Sequence, residues 1–75
     1  MANIIPNIEA QVNLGLFNTN LSAFAPTAKY IFEYNGPATP DTDDKIKSAR
    51  LWLQNMIDLL PKLMEALNDT PTSGK

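Results

Sequence analysis

Few side chains in this sequence could carry chemistry. There are eight acidic and six basic residues and two tyrosines, with neither histidine nor cysteine. Composition therefore excludes a histidine-activated nucleophile, a cysteine nucleophile, a Cys/His zinc site and a disulfide framework. General acid–base work would fall to Glu9, Glu33 or an aspartate, and no two carboxylates stand at a recognisable catalytic spacing. Gly15, Gly36 and Gly74 are isolated, so no glycine-rich loop is available to cradle phosphate. The chain is expected not to be an enzyme and to carry no cofactor or metal.

Three groupings nevertheless invite a functional reading. Asp41-Thr42-Asp43-Asp44 opens like a calcium loop, but the places where such a loop needs its turn glycine and its bidentate glutamate hold Ile46 and Trp52. An acidic helix start explains these residues better, because acids complement the positive end of the helix dipole. Tyr30, Phe32 and Tyr34 beside Lys29 could form a base-stacking platform. With a net charge of −2 and few basic residues nearby, core packing is the better account, and no nucleic-acid partner is expected. Trp52 is of the type that anchors interfaces, and Met56 and Met64, further along the same helical face, suit an adaptable contact surface.

The elements that must position these residues follow from periodicity. Over residues 8–16, Ile8, Ala10, Val12, Leu14 and Leu16 alternate with Glu9, Gln11, Asn13 and Gly15, which predicts a strand with one buried face. A helix would instead gather Ile8, Val12 and Leu16; Asn7, Asn13 and Gly15 are poor helix formers and favour the strand. Residues 17–26 read as a loop anchored by Leu21 and Phe24. Residues 27–35 read as a second strand, with Ala28, Tyr30, Phe32 and Tyr34 on one face, stopped by Asn35-Gly36-Pro37. Together they predict an antiparallel hairpin with a long tip.

Thr39-Pro40 then supplies an N-cap and first helical residue, followed by Asp41, Asp43 and Asp44. Apolar residues recur at 46, 49, 53, 56, 60, 63 and 67, a seven-residue repeat that predicts a helix over about 40–68. Asp43–Lys47 and Asp58–Lys62 are acid-first pairs one turn apart. Pro61 predicts a kink rather than a break, since the repeat runs through it in phase. Residues 70–75 read as a disordered tail. The predicted fold is α+β in ββα order, a single small domain over residues 1–69.

One copy of such a fold looks insufficient. A domain of this size, without disulfide or metal, buries only roughly 60% of its unfolded surface. The apolar arc of the helix covers about half its circumference, whereas packing on a hairpin needs a stripe nearer ~100°. The surplus predicts a homo-oligomer, a dimer by default, built on Leu51, Trp52, Met56, Leu59 and Leu63. The expected function is that of a non-enzymatic interaction module engaging itself and a larger protein, comparable in size and composition to small accessory or inhibitory proteins of phages and mobile elements. Two alternatives are a structural subunit of a virion-type particle and a small-ligand binder at an oligomer seam lined by Trp52, Tyr30 or Tyr34. Neither a secretory signal nor N-terminal myristoylation is expected, no apolar run reaches membrane length, and Asn20-Leu21-Ser22 and Asn68-Asp69-Thr70 read as chance glycosylation triplets. No membrane partner is expected, and cytoplasmic residence suits a chain without cysteine.

Overall fold

The computed structural model describes residues 3–74 and is a hairpin of two helices, α1 (Ile8–Glu33) and α2 (Pro40–Asn68). There is no strand among the described residues, so the ββα, α+β prediction is corrected to an all-helical one: residues 8–16, the loop at 17–26 and most of 27–35 are one continuous helix. Local chemistry accounts for this. The Asn7 side chain caps α1, its Oδ1 accepting from the Ala10 amide at 2.9 Å, and Glu9 follows in the first turn. The turn-forming side chains of the middle segment satisfy themselves on the helix. Thr19 Oγ1 donates to the Gly15 carbonyl at 3.0 Å, and Asn20 Nδ2 donates to the Leu16 carbonyl at 2.7 Å. Pro26 is exposed inside the helix, where water can reach the carbonyl that its missing N–H leaves free.

α2 coincides with the span read from the repeat. Thr39 and Thr42 form a reciprocal capping box: Thr39 Oγ1 accepts from the Thr42 amide at 3.2 Å, and Thr42 Oγ1 accepts from the Thr39 amide at 2.8 Å. Pro61 sits on the outer surface and does not break the helix, which runs unbroken to Asn68. Neither expected ion pair forms; Lys45 pairs with Asp41 at 3.3 Å, and Lys29 with Glu33 at 4.0 Å. The connection between the helices is held by Tyr34, whose hydroxyl donates to the Pro37 carbonyl at 2.8 Å. Gly36 lies under that ring, and a Cβ there would stand 3.1 Å from Tyr34 Oη. Residues 71–74 have no regular structure, while residues 1, 2 and 75 of the expected domain and tail lie outside the described residues.

The two helices meet along a seam of seven-residue spacing. On α1 the covered positions are Phe17, Phe24 and Ile31, alternating with Asn13, Asn20 and Thr27, with Ala28 buried at the seam's edge beside Phe24 and Ile31. On α2 they are Thr42, Ala49, Met56 and Leu63, alternating with Lys45, Trp52, Leu59 and Ala66. This is the antiparallel two-helix version of knobs-into-holes packing. Asn55 Nδ2 donates to Asn20 Oδ1 across the seam at 3.0 Å, and nearer the tip the Lys45 ammonium lies 5.4 Å from the Tyr30 ring centre. Asn20 is thus level with Asn55 and Tyr30 with Lys45, a register that keeps step along the hairpin.

Very little is buried by this arrangement. Among the described residues Ala28, Met56 and Leu59 are the buried apolar ones, and no side chain is fully enclosed. The molecule measures 60 × 21 × 15 Å with a radius of gyration of 17.5 Å, against about 11 Å for a compact chain of 75 residues. Its accessible surface is 6099 Å², where a compact monomer of 8.3 kDa exposes about 4,600 Å². Roughly 1,500 Å² of extra surface is therefore carried in the isolated hairpin.

Candidate interaction surface

The seven-residue repeat of α2 divides its apolar residues between two places. Ala49, Met56 and Leu63 of that repeat lie in the seam, while Ile46, Leu53, Leu60 and Leu67 fall four positions on, along one flank. Ile57 and Met64 lie beside them, one helical step further out. Leu53, Ile57, Leu60, Met64 and Leu67 are all exposed. On α1 the matching positions are Leu14, Leu21 and Ala28, with Phe32 at the tip end. One flank of the hairpin is thus a continuous apolar surface shared by both helices.

Grooves between the helices confirm which residues share that flank. Ile4, Ile5 and Leu14 line an apolar groove of about 580 Å³ with Leu63 and Leu67. Toward the tip, Phe24, Ala28 and Phe32 line a second apolar hollow with Ile46, Arg50 and Leu53. Between residues 46 and 67 of α2, Arg50 is the single charged residue at the flank positions; on α1 those positions hold Gln11 and Asn18 but no charge. The opposite flank is polar, with Glu9 and Asn13 facing Lys62, Glu65 and Asp69 across the helices.

The residues expected from the sequence to form an interface are placed as follows. Met56 and Leu59 are 5% and 8% exposed, in the seam with α1. Trp52 and Leu63 are half-buried in the same seam. Leu51 is 60% exposed and stands alone on the outer side, toward the polar flank. The exposed flank residues were in the sequence as the 46, 53, 60, 67 half of the repeat; what periodicity did not reveal is that a second helix would take the other half.

The aromatic row is dispersed by the helix. Tyr30 and Tyr34 stay together, ring centres 5.8 Å apart, with Lys45 beside Tyr30. Phe32 points to the other side and is 82% exposed, the most open of the large apolar residues among those described. A strand would have kept all three on one face, whereas successive helical residues turn by 100° and separate i from i+2. Ile8, Val12 and Leu16 do share a helical stripe, but it faces away from α2 and stays exposed.

Among the described residues no three His, Cys, Asp or Glu side chains converge on a metal position. Asp41, Asp43 and Asp44 are exposed on the first turn of α2, consistent with a dipole role. Among the described residues no helix is long and apolar enough to cross a membrane. What the surface can do is exclude water against another apolar surface of similar length. No protein-family model, curated protein or solved structure matches this chain.

Proposed function

We propose that this chain is a non-enzymatic protein–protein interaction module that works as a homo-oligomer. The observation that carries the reading is the apolar flank: exposed leucines, isoleucine and methionine run along most of the hairpin, with a single charge among them on α2. Each such side chain left in water forgoes ~1.5–3 kcal/mol, so a handful rivals the ~5–15 kcal/mol stability of a whole domain. Self-association covers that flank, and the polar flank with Glu9, Lys62 and Glu65 stays free to face solvent or a larger protein partner. A cytoplasmic setting suits a chain without cysteine.

Sedimentation velocity at micromolar concentration tests the reading. The expected result is a mass that is a multiple of the 8.3 kDa chain mass and that falls on dilution. A single-chain mass at every concentration, from a chain that stays helical, overturns it.

A further inference from the structure

Resting on that reading, we infer that the occupant of the apolar flank is one second copy of the chain, laid antiparallel on the first, with Phe32 of each protomer seated in the groove at the N-terminal end of the other. Area is the first argument. The isolated hairpin carries roughly 1,500 Å² more surface than a compact chain of its mass. A standard interface takes about 800 Å² from each side, so the excess on one chain amply supplies a face-to-face contact with one copy, which would cover about half of it. A larger assembly would need a second apolar face as extensive; the opposite flank is polar at its open end, with Glu9, Lys62 and Glu65, and Val12, Leu16 and Leu51 form only a shorter apolar patch outside the proposed contact.

The layout of the flank fixes the direction. On α1 it is built on Leu14 and Leu21, and on α2 on Leu53 and Leu60. In the register set by Asn20 and Asn55, the midpoints of these two pairs are level to within about one residue, ~1.5 Å of helical rise. A two-fold axis crossing the hairpin at that level brings Leu53 onto Leu60 and Leu14 onto Leu21 of the copy, on both helices at once. It also stacks α2 on α2, matching the broader apolar surfaces with each other. Ile57 then lies beside its own counterpart.

The ends of the flank complete the match. The same axis carries the tip of one protomer to the open end of the other, so Phe32 arrives at the level of Ile4 and Ile5. Phe32 is a protruding ring with almost no cover, and the groove of Ile4, Ile5, Leu14 and Leu67, about 580 Å³, is a hollow with no side chain of its own chain to fill it. In the parallel alternative, α2 would stack on the less apolar α1, and the groove at the open end would meet its own copy with no ring to enter it.

The natural absence of cysteine makes disulfide trapping clean. Three results are expected: oxidised Ile57→Cys runs as a covalent dimer; Phe32→Cys mixed with Ile5→Cys gives a mixed disulfide; and neither of the latter pair closes with itself, since bridging needs Cα atoms within ~7 Å. Phe32→Cys closing with Ile46→Cys instead marks the parallel dimer; it overturns the inference and leaves the proposed function standing, as does a native mass above two chains. Wild-type chain that is monomeric, alone or on phosphatidylcholine–phosphatidylglycerol vesicles, overturns both. Should the cysteine variants lose their helicity, Phe32→Ala decides by sedimentation equilibrium: dimerisation at least ~30-fold weaker is expected, the loss typical of an interface anchor. An unchanged dimer constant removes Phe32 from the contact and overturns the inference.

Discussion

The two flanks of the hairpin share one backbone and one seven-residue spacing but differ in how far a single chain can finish them. The polar groups at and beside the seam meet partners within the chain, and the charged groups of the polar flank are satisfied by solvent. Asn55 bonds to Asn20, Lys45 reaches Asp41 and Tyr30, and no buried side-chain nitrogen or oxygen among the described residues is left without a partner. On the other flank Leu53, Ile57, Leu60 and Met64 are only partly covered by the chain and stay 41% to 59% exposed. In the proposed assembly the difference has a plain meaning: the seam sets register, and a partner copy adds the area that the seam does not bury.

Substitutions can separate these roles. The largest effect is expected on the apolar flank. Leu53→Asp with Leu60→Asp removes two large side chains from the contact, costing assembly about 3–6 kcal/mol at ~1.5–3 kcal/mol each, read by sedimentation equilibrium. In the seam, Leu59→Ala is expected to cost ~2–5 kcal/mol in thermal unfolding, because a buried leucine leaves a cavity as well as lost contact. Asn20→Ala and Asn55→Ala, combined in a double-mutant cycle, should couple by ~0.5–1.5 kcal/mol, the range of one hydrogen bond. On the exposed surface, Asp58→Ala and Lys62→Ala should each change stability by less than ~0.5 kcal/mol, since neither makes an ion pair in the hairpin. Should the polar-flank changes match the leucine changes in size, the division between flanks is lost.

α2 was legible in the sequence because its signals agree: the Thr39 cap, Pro40 in the first turn, acids after it and an unbroken apolar repeat. α1 was not, because its signals conflict. Its large residues at 8, 12, 14 and 16 alternate like a strand yet stay exposed, while its seam uses Asn13, Asn20 and Thr27 between Phe17 and Phe24. Asn, Thr and Pro in the middle read as a loop, and only the back-bonding of Thr19 and Asn20 shows how a helix tolerates them. The excess of apolar surface on α2 could be read from its circumference. Which side α1 would cover could not, since that depends on where the helix α1 lies, and periodicity had placed a hairpin of strands there.

The central claim, that the apolar flank is completed by another copy, is tested most directly by following helix content on heating over a wide range of protein concentration. Folding coupled to association must give a midpoint that rises with concentration. A cooperative transition whose midpoint stays fixed across that range would show a hairpin stable on its own, with Leu53, Ile57 and Leu60 left in water, and would contradict the claim.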